Sequence, residues 1–146
     1  VGFMWVNIIT MIFLFLASRK LFSPLAGVIT ATTFAITSLC PGLSGFTVQG
    51  EHAVAFWISL GIYLYTFTQS SERKIWFYIT GLAFGAAFMT KTSGMFLALW
   101  GGIVIITNFL FSNEKKEIKT LLVNGILYSL GVFTIIGIIS NTYRQI

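Results

Sequence analysis

The chain has 146 residues, of which 56% are hydrophobic and 9% charged, with a net charge of +5 and a mean hydropathy of +0.89; soluble domains carry roughly one charged residue in four. That composition excludes a soluble globular domain and describes an integral membrane protein. It also excludes a nucleic-acid binder, because the nine Lys and Arg lie in short loops between apolar runs and form no basic face.

Membrane-spanning helices use roughly 17 to 25 apolar residues, and charges and turn residues divide this chain into six such runs. The first, Val1 to Ala17, has no charged leader and no small-residue cleavage site. No signal peptide is therefore expected, and the chain reads as a piece of a longer protein. The second run is Leu21 to Cys40, entered through SRKLFSP. Cys40, the single cysteine, forms no internal disulfide and no Cys-based zinc site, and reads as a small buried residue. PGLSGFTVQGEH leads into the third run, Ala53 to Thr68, and QSSERK separates it from the fourth, Ile75 to Thr90. His52, Trp76 and Tyr78 at their ends suit a membrane interface. The fifth run is Ser93 to Phe111 and the sixth, after SNEKKEIK, Leu121 to Ile139. The fold expected is an all-α, polytopic membrane helix bundle of about six transmembrane segments filling residues 1–146, with no soluble domain. The apolar/polar alternation of barrel strands is missing, so backbone groups in lipid must pair within helices. Gly81 and Gly85 form a G-x-x-x-G, and Gly125, Gly131 and Gly137 recur along the last run; small residues of this kind let membrane helices approach closely.

If successive loops alternate sides, Arg19, Lys20, Arg73, Lys74, Lys115, Lys116 and Lys119 share one face, seven of the nine basic residues. The positive-inside rule makes that face cytoplasmic. The opposite face then holds Glu51, His52 and Lys91. Glu51 is the one acid outside the basic loops, since Glu72, Glu114 and Glu117 stand beside Lys or Arg. It suits either a helix N-terminus, where the helix dipole favours an acid, or a site for a sugar hydroxyl, a metal or an amine. Lys91 interrupts GLAFGAAFMTKTSGMFLALW. A charge near the centre of a spanning helix costs at least about 2.5 kcal/mol on insertion scales, so Lys91 either snorkels to the water boundary or faces an anion such as phosphate.

GAAFMTKT, residues 85–92, differs from the phosphate-loop pattern G-x-x-x-x-G-K-[ST] only in having Thr90 at the second glycine. The match is rejected. That glycine lets backbone amides wrap a phosphate, and the flanks here are membrane-type sequence in place of a strand.

Two stretches, PGLSGFTVQGEHAVAFWISLGIYLY and GLAFGAAFMTKTSGMFLALW, resemble paired segments of polytopic glycosyltransferases of the GT-C type, in particular the family 39 relatives of dolichyl-phosphate-mannose protein mannosyltransferases. The resemblance lies in an outer loop ending in an acid before a helix, a basic cytoplasmic turn, and a glycine-rich run ending in Thr-Lys on the outer side. It spans about Leu21 to Phe111. It implies a membrane glycosyltransferase fragment in a bacterial or archaeal plasma membrane, using a polyprenyl-phosphate sugar as donor at the extracytoplasmic face. The implied partners are the lipid-linked donor, membrane lipids and a glycan, lipid or protein acceptor.

Carried over by position, Glu51 matches the acid after the second outer loop and becomes the candidate catalytic and acceptor-positioning carboxylate, and the candidate ligand of a divalent metal ion. Lys91 matches the Thr-Lys position and would face the donor phosphate, with His52 as a further candidate substrate-binding residue. The resemblance places the main catalytic acid upstream of Val1 and a large outer domain downstream, so the chain departs from the whole family pattern at both ends. A small transporter or channel subunit and a structural membrane protein are the alternative readings. The first should show helices broken at matching points in its two halves, and no such repeat is present.

Overall fold

The computed structural model describes residues 2–39, 49–70, 73–91, 99–100, 102–103, 106–107 and 115–144. Cys40, most of the PGLSGFTVQGEH loop, Glu72 and Glu114 lie outside the described residues, as do the side chains of Glu51, Lys115, Lys116, Glu117 and Arg144. All regular structure among the described residues is helical: α1 (Gly2–Leu21), α2 (Pro24–Leu39), α3 (Gln49–Ser70), α4 (Ile75–Thr90) and α5 (Lys115–Arg144). Further helical positions fall between Leu99 and Thr107. Within α5, Lys119–Thr142 is long and apolar enough to cross a membrane, and Pro24–Thr37 and Ile75–Thr90 are shorter apolar helices.

The turn between α1 and α2 follows from its sequence. Ser23 Oγ accepts a hydrogen bond from the Ala26 amide at 3.2 Å, and Pro24 occupies the first helical position, where its missing N–H would have had no intrahelical partner. The chain reverses there, and Gly27 of α2 lies so close to the Phe15 carbonyl of α1 that a Cβ would stand 2.9 Å from it.

Ring contacts set the directions of the other helices. Along α1 and α3, Phe13 meets Phe56 and Tyr63, with centroids 6.0 and 5.6 Å apart, and further on the Lys20 ammonium sits 3.8 Å above the Phe67 ring. Both numbers ascend together, so α1 and α3 run parallel. Between α3 and α4, Phe67 stacks on Trp76 at 4.9 Å and Gly61 faces Phe84; these helices are antiparallel. Gly81 of α4 abuts the Tyr128 carbonyl of α5, and Gly85 abuts Val132, so α4 and α5 are parallel. Trp100 meets the Tyr65 ring of α3 edge-on at 6.3 Å.

These directions gather the C-terminal turns of α1 and α3 with the N-terminal turns of α4 and α5. Arg19, Lys20, Lys74 and Lys119 therefore lie at one end of the bundle, the basic end. The start of α3 and the end of α4 lie at the other.

Exposed large hydrophobics run the length of the outer surface, among them Trp5, Leu25, Ile29, Ile36, Ile126 and Phe133. The interior is made instead of small and hydroxylated residues around Phe84, with Ala17, Ala83, Ala87, Thr10, Ser59 and Thr66 all buried. That inversion is what lipid as a solvent favours, since apolar side chains gain little by leaving it. The hydroxyls return to the carbonyl one turn back, as in Thr10 to Val6, Ser59 to Phe56 and Thr66 to Tyr63 at 2.7–2.8 Å. Thr80 Oγ1 and Asn124 Oδ1 are the buried side-chain atoms left without a hydrogen-bond partner among the described residues.

Candidate functional site at the end opposite the basic turns

Lys91 ends α4. Its backbone is extended (φ −159°, ψ 146°) while its amide still donates to the Ala87 carbonyl at 3.3 Å. The half-buried Lys91 therefore belongs to the carbonyl end of a helix, where a cation is favoured by the helix dipole. The helix is unbroken from Gly85 to Thr90, and Thr90 Oγ1 donates back to Ala86 O at 2.8 Å. A phosphate loop would need these residues to leave the helix, so residues 85–91 are a helix end.

Glu51 is the third residue of α3, where the unpaired amides of the first turn favour a negative charge. His52 follows it, half-buried, and its Nδ1–H donates to Oδ1 of Asn7 on α1 at 2.8 Å. Because α3 and α4 are antiparallel, with Phe67 level with Trp76 and Gly61 level with Phe84, continuing the register sets Lys91 level with the turn of α3 that carries His52. The register thus sets at one level of the helix pair two backbone positions, 51 and 91, that are far apart in sequence.

Sequence reasoning missed Asn7. It is a single amide in an apolar run, and its partner lies 45 residues away. Rarity was the available signal, because a carboxamide facing lipid would lack hydrogen bonds and is expected to find a partner on another helix. Glu51, the candidate ligand of a divalent metal ion, has its side chain outside the described residues. No step is routed through a metal below.

An open apolar groove of about 960 Å³ lies between Phe88, Leu99, Ile103 and the Leu122, Ile126 and Phe133 side of α5.

No curated protein and no solved structure matches the chain. Across residues 1–143 it matches the family model described as dolichyl-phosphate-mannose-protein mannosyltransferase. With nearly its whole length covered, the chain belongs to that family of membrane glycosyltransferases.

Proposed function

We propose that this chain is the membrane-helical part of a larger multi-pass glycosyltransferase of the GT-C type. It crosses the membrane about six times and moves a sugar from a polyprenyl-phosphate donor to an acceptor hydroxyl at the extracytoplasmic face. Family membership supports the reaction class. The observation that carries the choice of site is the antiparallel α3–α4 register, which joins the Lys91 end of α4 to the Glu51–His52 turn of α3 away from the basic turns.

In the transfer, the bond between the anomeric carbon and the phosphate oxygen breaks and the acceptor oxygen takes the carbon. The bond electrons stay with the lipid phosphate, which gains negative charge as it leaves. A fixed ammonium is a compact charge suited to that oxygen, and Lys91 is the residue in this role. The acceptor loses a proton to a carboxylate. Glu51 orients the acceptor, and the acid that receives the proton is expected in the outer loop before α1.

Lys91→Met in the full-length protein keeps the unbranched stem and removes the charge. A charge-assisted hydrogen bond is worth roughly 1.5 to 3 kcal/mol, so sugar transfer from the lipid-linked donor should fall about ten- to hundredfold with membrane insertion intact. Transfer at the wild-type rate by Lys91→Met would show that Lys91 only caps α4 at the interface.

A further inference from the structure

The hydrogen bond between Asn7 and His52 joins α1 to α3 in the turn next to Glu51. Lower down, the same helices are held by rings, Phe13 against Phe56 and Tyr63 and Lys20 over Phe67. Ring contacts of this kind tolerate sliding, because a stacked or tilted pair keeps its attraction over an ångström or more of offset. A hydrogen bond of 2.8 Å does not, since it weakens steeply with distance and angle. At the site's end of the α1–α3 seam, this polar contact therefore holds register more tightly than the rings do.

The bond also fixes the imidazole. With Nδ1 donating to the carboxamide oxygen, the plane of the ring is set by α1. A substitution at Asn7 would release both the ring and the first turn of α3.

We propose that Asn7 and His52 are positioning residues of the transferase site: the bond from Nδ1 to the α1 carboxamide holds the N-terminal turn of α3, which carries Glu51, at the place where the acceptor is oriented. This rests on the glycosyl-transfer reading above. The Nδ1 bond carries the role, so an asparagine at 52, whose amide nitrogen falls where Nδ1 was, should replace histidine. A glutamine, whose amide falls near Nε2, should not.

The test uses full-length protein in native membranes, with dolichyl-phosphate-linked radiolabelled mannose as the donor probe, and measures kcat and donor KM for Asn7→Leu, His52→Asn and His52→Gln. Asn7→Leu and His52→Gln should lose roughly ten- to hundredfold in kcat, the scale of a small misplacement in a reacting geometry. Donor KM should be unchanged, because Lys91 is on another helix, and His52→Asn should retain most of the wild-type kcat. Thermal stability in detergent is read alongside. Single interhelical hydrogen bonds in membrane proteins contribute little to stability, so all three variants should melt close to wild type. A merely structural bond would lower melting temperature and leave kcat per folded molecule unchanged, which would overturn the proposal. Activity in His52→Gln with loss in His52→Asn would also overturn it, by assigning the role to Nε2. Glu51→Gln and Lys91→Met are run in parallel. If both transfer at the wild-type rate, the site reading fails and the positioning role fails with it. If both lose transfer while Asn7→Leu keeps it, the positioning role alone is wrong.

Discussion

Lys91 stands where two demands meet, the carbonyl end of α4 and the proposed donor phosphate. Lys91→Arg separates them. Arginine keeps the helix-end charge and replaces a compact ammonium by a broad planar fork, so α4 should stay capped while transfer falls to an intermediate level between wild type and Lys91→Met. Equal loss in the Arg and Met variants, measured as initial rates, would show that shape governs the contact and charge does not. In the core, Phe84 is almost fully buried, facing Gly61 and the Tyr128 ring at 6.2 Å. Phe84→Ala in a soluble core costs 3 to 5 kcal/mol, of which part is transfer from water. In a bilayer the separated helix leaves that ring in lipid, so the cavity remains as the main cost and about 2 kcal/mol is expected, measurable by unfolding in mixed detergent. Lys91 and Glu51 stand out in the sequence because isolated charges in apolar surroundings demand a reason. The Asn7–His52 bond does not, because only the parallel packing of α1 and α3 reveals which residue 45 positions away receives the carboxamide.

At the scale of helices, α4 and α5 approach until backbone meets backbone. A Cβ on Gly85 would stand 2.9 Å from the Val132 carbonyl. Gly81 and Gly131 interlock in the same way with the carbonyls of Tyr128 and Tyr78. Gly81→Leu should therefore drive α4 and α5 apart and lower the heat stability of the purified protein by several degrees. Gly137 meets nothing within 4 Å, so Gly137→Ala should be neutral or slightly stabilising through helix propensity. Equal melting of the two variants would remove the glycine seam from the account. The seam at Gly81 and Gly85 could be read from their spacing, but glycines that pack and glycines that face open space look alike in sequence. Helix ends divide similarly. α4 was legible at both ends because Lys74 and Lys91 flank it. α1 instead continues through Arg19 and Lys20 to Leu21, α3 starts at Gln49 ahead of the apolar run at Ala53, and α5 spans Lys115–Arg144 around an apolar centre. Apolarity marks the part of a helix that suits lipid, whereas the backbone ladder continues for as long as φ and ψ allow.

For the whole molecule, the directions of the helices and the placement of charge agree, although they come from different physics. Ring and glycine contacts make α1 and α3 parallel, α3 and α4 antiparallel, and α4 and α5 parallel, and together these directions collect Arg19, Lys20, Lys74 and Lys119 at one end. Basic residues near short loops are retained on the cytoplasmic side during insertion, so that end is expected in the cytoplasm and the Glu51–Lys91 end outside. The Lys20–Phe67–Trp76 stack fits this placement, because aromatic rings and long cationic chains settle at the membrane–water boundary. Exposed positions near each end give the test. In a cysteine-free background of the full-length protein, Asn141→Cys, in the outer part of α5, should react with a membrane-impermeant maleimide on intact cells. Gln69→Cys and Thr120→Cys, close to the basic end, should react only after the membrane is opened. The reverse pattern would invert the protein in the membrane. Lys91 would then face the cytoplasm, and transfer at the outer face could not use this site.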